Sequence, residues 1–263
     1  MSSAGPAASS AGPSARVLVA TAVPVERDAV AQAFDGPVHE LPLPGTTLHR
    51  VAGCDLIAAG VGPALAAAST AAALTAAALG GTPYDLVVSA GIAGGFTPGA
   101  PVGSLVVADE ITAADLGAET GDGFLTVTEL GFGTAAHHPP ESLVRATAAA
   151  TGAAIGAALT VSTVTGTAAR AAALRERHPR ALTEAMEGFG VAEAAAAHRV
   201  PVLELRAVSN PVGPRDRAAW RIGDALAALT EGFGKLAPVL ESWNPHEPVA
   251  SHQPVASHQP VTP

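Results

Sequence analysis

The chain has 263 residues, 48% of them apolar but only 3% aromatic, so its core must be built mainly from Ala, Val and Leu. That length suits one large domain or two small ones with a substantial core. The 23 acidic residues outnumber the 14 basic ones, and Lys235 is the only lysine, which excludes the basic stripe a nucleic-acid binder needs against phosphates. The single Cys54 excludes a disulfide framework and a Cys-rich metal site, and it points to the cytosol.

Residues 1–15, MSSAGPAASSAGPSA, are small and polar, without the basic start and apolar stretch of a secretory signal, and read as a disordered tail. The sequence then predicts a strand over Arg16–Thr21 and a helix over Pro24–Phe34, with proline where a first helical turn tolerates a missing N–H. A strand over Asp55–Ala59 leads through Gly60-Val-Gly62 into an alanine-rich helix, Pro63–Leu79. That run is too weakly apolar to be read as a membrane span. Strands follow at Asp85–Ser89 and Ser104–Ala108, then a helix at Glu141–Ala150 and a strand at Leu159–Val164. Helices at Ala168–Arg177 and Gly188–His198, a strand at Val202–Val208 and a helix at Arg217–Val239 complete the pattern. Residues 244–263 carry a repeated PVASHQ and read as a second disordered tail, leaving 16–243 as one domain.

Short β-branched runs alternating with Ala/Leu-rich stretches argue for an α/β domain. Ligands in such sheets bind at the carboxyl ends of the strands. Three segments there are candidates for chemistry, Thr21-Ala-Val-Pro-Val-Glu26, the Gly-rich turn Ala90-Gly-Ile-Ala-Gly-Gly95 and Arg206-Ala-Val-Ser-Asn210, and a fourth, Glu184-Ala-Met-Glu-Gly188, lies before the helix Gly188–His198. Taken in this order they resemble the purine nucleosidase and nucleoside phosphorylase superfamily, nearest the branch that cleaves methylthioadenosine and S-adenosylhomocysteine. Within it, Ala22-Val-Pro-Val-Glu26, Ala114-Asp-Leu-Gly-Ala-Glu119, Asp122-Gly-Phe-Leu125, Glu129-Leu-Gly-Phe-Gly133 and Ser209-Asn-Pro-Val-Gly-Pro-Arg215 resemble the futalosine hydrolases of the alternative menaquinone pathway. The resemblance covers about Arg16 to Leu240, and the loop from Asp115 to Gly133 is its most specific part. It implies a single domain with a mixed central sheet between helical layers, and hydrolysis of futalosine to hypoxanthine and dehypoxanthine futalosine.

N-glycosidic bonds of nucleosides break through an oxocarbenium-like transition state. By the resemblance, Glu26 orients and deprotonates the attacking water, where a plain first-turn Glu would only favour the helix N-terminus. Glu187 matches the carboxylate that binds the ribose hydroxyls, Met186 the methionine packed under the sugar, and Arg206 the arginine supporting the water. The plainer account of Arg206 is an ion pair with Glu204, and strand alternation lets it do both. Asn210 stands where adenine-releasing relatives have Asp. Its amide offers a donor to O6 and an acceptor to N7–H of a 6-oxopurine. As an alternative, Asn210 simply starts a turn before Pro211.

Gly91, Ala93 and Gly94 would let backbone approach base and ribose, and the neighbouring Ile92 is apolar where phosphorylases of the superfamily tend to be polar, which favours water as the nucleophile. Ser209 precedes the base-binding residue, and Gly166 and Thr167 fall near the family's base-stacking segment. Arg215 or Arg217 would take the carboxylate of the benzoate arm. Phe124, Phe132 and Trp220 are candidates for an apolar wall or for ordinary packing. His137-His138 lack a third ligand at fixed spacing, so neither metal nor organic cofactor is expected. The expected partners are a small nucleoside and water, neither nucleic acid nor membrane, with assembly as a homodimer or larger homo-oligomer. The rival readings are a phosphate-dependent 6-oxopurine nucleoside phosphorylase, a methylthioadenosine/S-adenosylhomocysteine nucleosidase, and a non-catalytic nucleoside-binding protein.

Overall fold

The computed structural model describes residues 15–244. The two expected tails lie outside those residues, save for Ala15 and Asn244 at their borders. In chain order the elements are β1 (Val17–Thr21), α1 (Pro24–Ala31), β2 (His39–Leu43), β3 (Thr46–Val51), β4 (Cys54–Ala58), α2 (Pro63–Leu79), β5 (Leu86–Gly95) and β6 (Leu105–Ala113). They continue with β7 (Gly117–Thr120), β8 (Gly123–Thr126), β9 (Ala136–His137), α3 (Glu141–Thr151), β10 (Ala154–Thr160), α4 (Ala168–Arg177), β11 (Ala181–Ala185), α5 (Gly188–Ala197), β12 (Val202–Pro211) and α6 (Ile222–Ser242).

The central sheet runs β11-β10-β6-β12-β5-β1-β4-β3-β2, with β9 added beside β6. Its middle strands β1, β5 and β12 are parallel and buried along nearly their whole length, because helices cover both faces. On one face α1, α3 and α6 pack Val30, Leu143, Leu229 and Phe233 onto Val19, Val88 and Leu205. The α6 stripe Ala225, Leu229, Phe233, Leu236 and Leu240 keeps helical spacing, so one side of that helix is buried throughout. On the other face α2 and α5 bring Ala66, Ala73, Leu74, Phe189 and Val191 onto Leu18, Val87 and Ile111. The domain is therefore the expected mixed sheet between two helical layers.

Three expected boundaries need correction. Ala90–Gly95 is no turn: β5 continues through Gly95, because β12 pairs along one side of it and β11 pairs antiparallel with Gly94 and Gly95. That last pairing closes β11, β10, β6, β12 and β5 into a ring. The strand expected at Leu159–Val164 lies earlier, at β10, where an Ala/Gly-rich run is held by β6 and β11 despite its weak strand propensity. The expected helix Arg217–Val239 is interrupted. Arg217–Ala219 form a single 3-10 turn capped by Asp216, Trp220 is extended, and α6 starts only at Ile222.

Candidate active site

A cavity of about 270 Å³ opens at the carboxyl ends of β1, β5, β11 and β12. It is near the lower end of small-ligand pockets. Ala22, Glu26, Ile92, Ala93, Gly94, Met186, Glu187, Ser209, Asn210 and Arg215 line it.

Glu26 sits in the first turn of α1, behind Pro24, and is buried. Its Oε2 accepts the backbone N–H groups of Ala22 (3.0 Å) and Val23 (3.2 Å), and its Oε1 accepts that of Ile92 (2.8 Å). It thus caps the helix and faces the cavity as well. Burial pushes its carboxyl above the usual 4.5; the Ile92 hydrogen bond and the Arg206 charge pull it back in part, and the Glu187 charge adds to the rise. Gly91, at φ +155°, is required here: a Cβ would stand 2.7 Å from Glu26 Oε1 and 2.9 Å from Arg206 Nη1.

Arg206 is a fully buried arginine in β12. Its Nε donates to Glu204 Oε1 at 2.7 Å and its Nη2 to Ser89 Oγ at 2.9 Å, while Nη1 stands 3.7 Å from Glu187 Oε2. The ion pair with Glu204 and the contact with the site's carboxylates therefore coexist, as the alternation along β12 allows. Glu187, at the entry to α5, accepts from the Gly62 N–H (3.2 Å) and the Met186 N–H (3.2 Å). The Gly60-Val-Gly62 turn thus has a function beyond joining β4 to α2.

Asn210 lies near the end of β12 and is buried. Its Oδ1 accepts from Ser209 Oγ at 2.8 Å and its Nδ2 donates to the Pro211 carbonyl at 3.0 Å. Those two partners assign the amide orientation. A carboxamide has two N–H donors and two lone pairs on oxygen. One of each is used within the chain, leaving one donor and one acceptor for the cavity.

Residues 16–240 match the family model of the phosphorylase superfamily. The futalosine hydrolase of Streptomyces coelicolor is 80% identical over 232 residues, 88% of this chain and 99% of the relative. The chain belongs to the futalosine hydrolases of the phosphorylase superfamily. Among solved structures, the methylthioadenosine/S-adenosylhomocysteine nucleosidase of Neisseria meningitidis superposes with TM-score 0.72 at 21% identity, covering 85% of this chain and 98% of the other. The futalosine hydrolase of Helicobacter pylori gives 0.71 at 18%, covering 85% and 97%. Both likenesses are of fold.

Within this family member, not every residue singled out from the sequence reaches the cavity. Gly91 and Arg206 stand behind its floor, and Gly166 and Thr167 are outside the lining. Thr167 instead caps α4 by accepting from Arg170 N, and the Gly166 carbonyl accepts from Arg215 N. Arg215 lines the rim with its guanidinium 5.6 Å from the Trp220 ring centre, whereas Arg217 belongs to the 3-10 turn and is not among the lining residues. Trp220 forms part of the wall. Phe124 instead lies under Arg177, and Phe132 is 69% exposed. The loop Asp115–Gly133 forms the β7–β8 hairpin and a following turn, tied down where Asp115 Oδ2 accepts from Ser162 N at 2.8 Å. His137 pairs with Glu193 at 2.8 Å and leans on Phe189.

Sequence reasoning missed Glu184 and Thr165 as lining residues. The Glu184 carboxylate accepts both the N–H (2.8 Å) and the hydroxyl of Thr165, and burial pushes its carboxyl up, with those hydrogen bonds opposing. The signal was in the quoted Glu184–Gly188 segment, where a second acid just ahead of the same expected helix merits the same attention as Glu187.

Proposed function

We propose that the protein hydrolyses the N-glycosidic bond of futalosine, releasing hypoxanthine and leaving dehypoxanthine futalosine, in the futalosine route of menaquinone biosynthesis. The observation that carries the choice of base is the fixed amide of Asn210, with one donor and one acceptor left for the cavity. A 6-oxopurine needs a donor at O6 and an acceptor for N7–H as the base leaves. An ionised carboxylate at this position would meet O6 with a repulsive oxygen.

In this reading Glu26 takes a proton from water as it attacks the anomeric carbon. Its raised pKa makes it a stronger base than an exposed glutamate. Glu187 accepts hydrogen bonds from the ribose diol, with the Arg206 guanidinium 3.7 Å behind it. Met186 packs under the sugar. Ile92 and Ala93 present an apolar wall that offers no donor to a phosphate. Arg215 takes the carboxylate of the benzoate arm at the rim, held by its contact with Trp220. The chemistry is complete without a metal or organic cofactor.

The deciding experiment incubates purified protein with futalosine, inosine and methylthioadenosine in phosphate-free buffer and identifies the released base. Hypoxanthine from futalosine is expected. Strict dependence on phosphate would establish a phosphorylase instead, and adenine from methylthioadenosine would establish the other nucleosidase activity.

We also infer a cytoplasmic homo-oligomer built on a single folded unit, residues 16–243. No helix among the described residues is long and apolar enough to cross a membrane. Leu65 and Leu79 on α2, Leu116 before β7 and Phe132 are all exposed and apolar, as an interface between copies requires. Light scattering on the purified chain tests this, with a monomeric mass as the outcome that refutes it.

A further inference from the structure

The reading above gives Glu204 no task, yet the residue is unusually placed. It is an acid 1% exposed near the start of β12, between the fully buried Leu203 and Leu205. With Ser89 it grips the Arg206 guanidinium at two of its three nitrogens, at 2.7 and 2.9 Å. The third nitrogen, Nη1, has no hydrogen-bond partner among the described residues and is left facing the Glu26 and Glu187 side. Glu204 Oε2 is also without a hydrogen bond there.

The neighbouring helix is shaped for this carboxylate. A Cβ at Gly188, the first residue of α5, would lie 2.2 Å from Glu204 Oε2 and 2.5 Å from Oε1. The φ of Gly188 is not positive, so the glycine provides space rather than an unusual backbone angle.

We propose that Glu204 is a positioning residue for the hydrolytic reaction: it fixes the plane of the Arg206 guanidinium and offsets part of its charge, so that Nη1 serves Glu26 and Glu187 together, and Gly188 is the space that lets it do so. The inference rests on the roles proposed for those two glutamates. The charged groups around Glu204 are Arg206 on its own strand, Glu187 before α5 and, beyond Arg206, Glu26 on α1; Ser89 of β5 and Gly188 of α5 are neutral. A guanidinium freed from Glu204 would turn its planar fork onto one carboxylate as a bidentate pair. If that carboxylate were Glu26, the base would be lost; if Glu187, the sugar would be held without a base correctly poised.

The test uses Glu204→Gln and Gly188→Ala in the full chain with futalosine as substrate. Glu204→Gln keeps an acceptor for Nε but removes one negative charge. It is expected to lower kcat about 10- to 100-fold, as misplacement of a reacting group does, with little change in KM. The acid limb of its kcat/KM profile should move to lower pH, because Glu26 then feels the Arg206 charge with less opposition. Gly188→Ala changes no charge but displaces the Glu204 carboxylate, and should lower kcat to a similar extent. Combining it with Glu204→Ala, which makes room for the new methyl, should cost less than the product of the Gly188→Ala and Glu204→Ala losses measured singly.

Wild-type kcat and an unmoved acid limb in Glu204→Gln, whatever its melting temperature, would reduce Glu204 to a structural ion pair and overturn the proposal. Full activity of Gly188→Ala would do the same even where Glu204→Gln fails to fold. Wild-type protein that releases no hypoxanthine from futalosine would instead overturn the functional reading on which the proposal rests.

Discussion

The Ile92 N–H donates to Glu26 Oε1 at 2.8 Å, and this bond ties the first turn of α1 to the middle of β5. The carboxylate is therefore held by three backbone N–H groups, two from the connection between β1 and α1 and one from β5. Glu26→Gln should lower kcat on futalosine by about 10²–10⁴ with substrate binding retained, since general-base catalysis is worth that factor. Because the base must be ionised and burial raises its pKa, the acid limb of kcat/KM in the wild type should lie above 4.5. The same rise means that ionising Glu26 opposes folding. The favourable contribution is fully present below 4.5 and is lost as pH climbs through the folded-state value.

Asn210→Asp replaces the Nδ2 donor to the Pro211 carbonyl with an oxygen, so that contact is lost while Ser209 Oγ can still donate to the carboxylate. Opposite a 6-oxopurine the new carboxylate meets O6 as well. Sites built on matched polar groups discriminate by roughly 10⁴ when the match fails. Hypoxanthine release from futalosine should fall by about that factor in kcat/KM, measured by following the free base.

Arg215 is the cation on the cavity rim, stacked over Trp220. A hydrogen bond to a charged group contributes about 1.5–3 kcal/mol, so Arg215→Ala should raise KM for futalosine by roughly 10- to 100-fold. Inosine has no arm carboxylate, and its KM should stay put. A loss shared equally by both substrates would assign Arg215 to packing.

Away from the site, Asp55 is 1% exposed and takes hydrogen bonds from Arg50 (2.7 and 2.8 Å), Arg16 (3.0 Å) and Tyr84 (2.7 Å). Burial raises its pKa, but those three partners outweigh burial and leave it below 3.8. Its stabilising contribution is thus present above 3.8 and lost as pH falls through the folded-state value. Removing one member of a buried charge cluster is strongly destabilising, so Asp55→Asn should cost about 3 kcal/mol at neutral pH in urea unfolding. The gap to wild type should narrow in acid.

The parallel centre of the fold was legible because buried strands such as Val17–Thr21 read as unbroken apolar runs, and Pro24 and Pro63 mark helix starts. The sheet's outer parts were not. β2, with its exposed HELPL, and β11, with ALTEA, owe their strand state to pairing with distant segments rather than to local preference. At the site, Glu26, Glu187, Asn210 and Arg215 were singled out through the family resemblance, helped for Glu26 and Asn210 by their place after or at the end of an expected strand, and all four line the cavity. Glu184 and Glu204 were not assigned roles. One is bonded to Thr165 and the other to Arg206, and contacts with residues of this kind have no spacing that a linear sequence displays.

Antiparallel pairing of Thr183 and Glu184 with Gly95 and Gly94 leaves the reactive end of the five-strand ring without a seam. Glu184, Gly94 and Asn210 are therefore laced to one another through main-chain bonds and cannot spread apart without unzipping the ring. Admission of a bulky nucleoside and escape of the freed purine then fall to the non-sheet stretches around Val164 and Trp220. Turnover should respond to changes in those two stretches well before it responds to loosening of the strands.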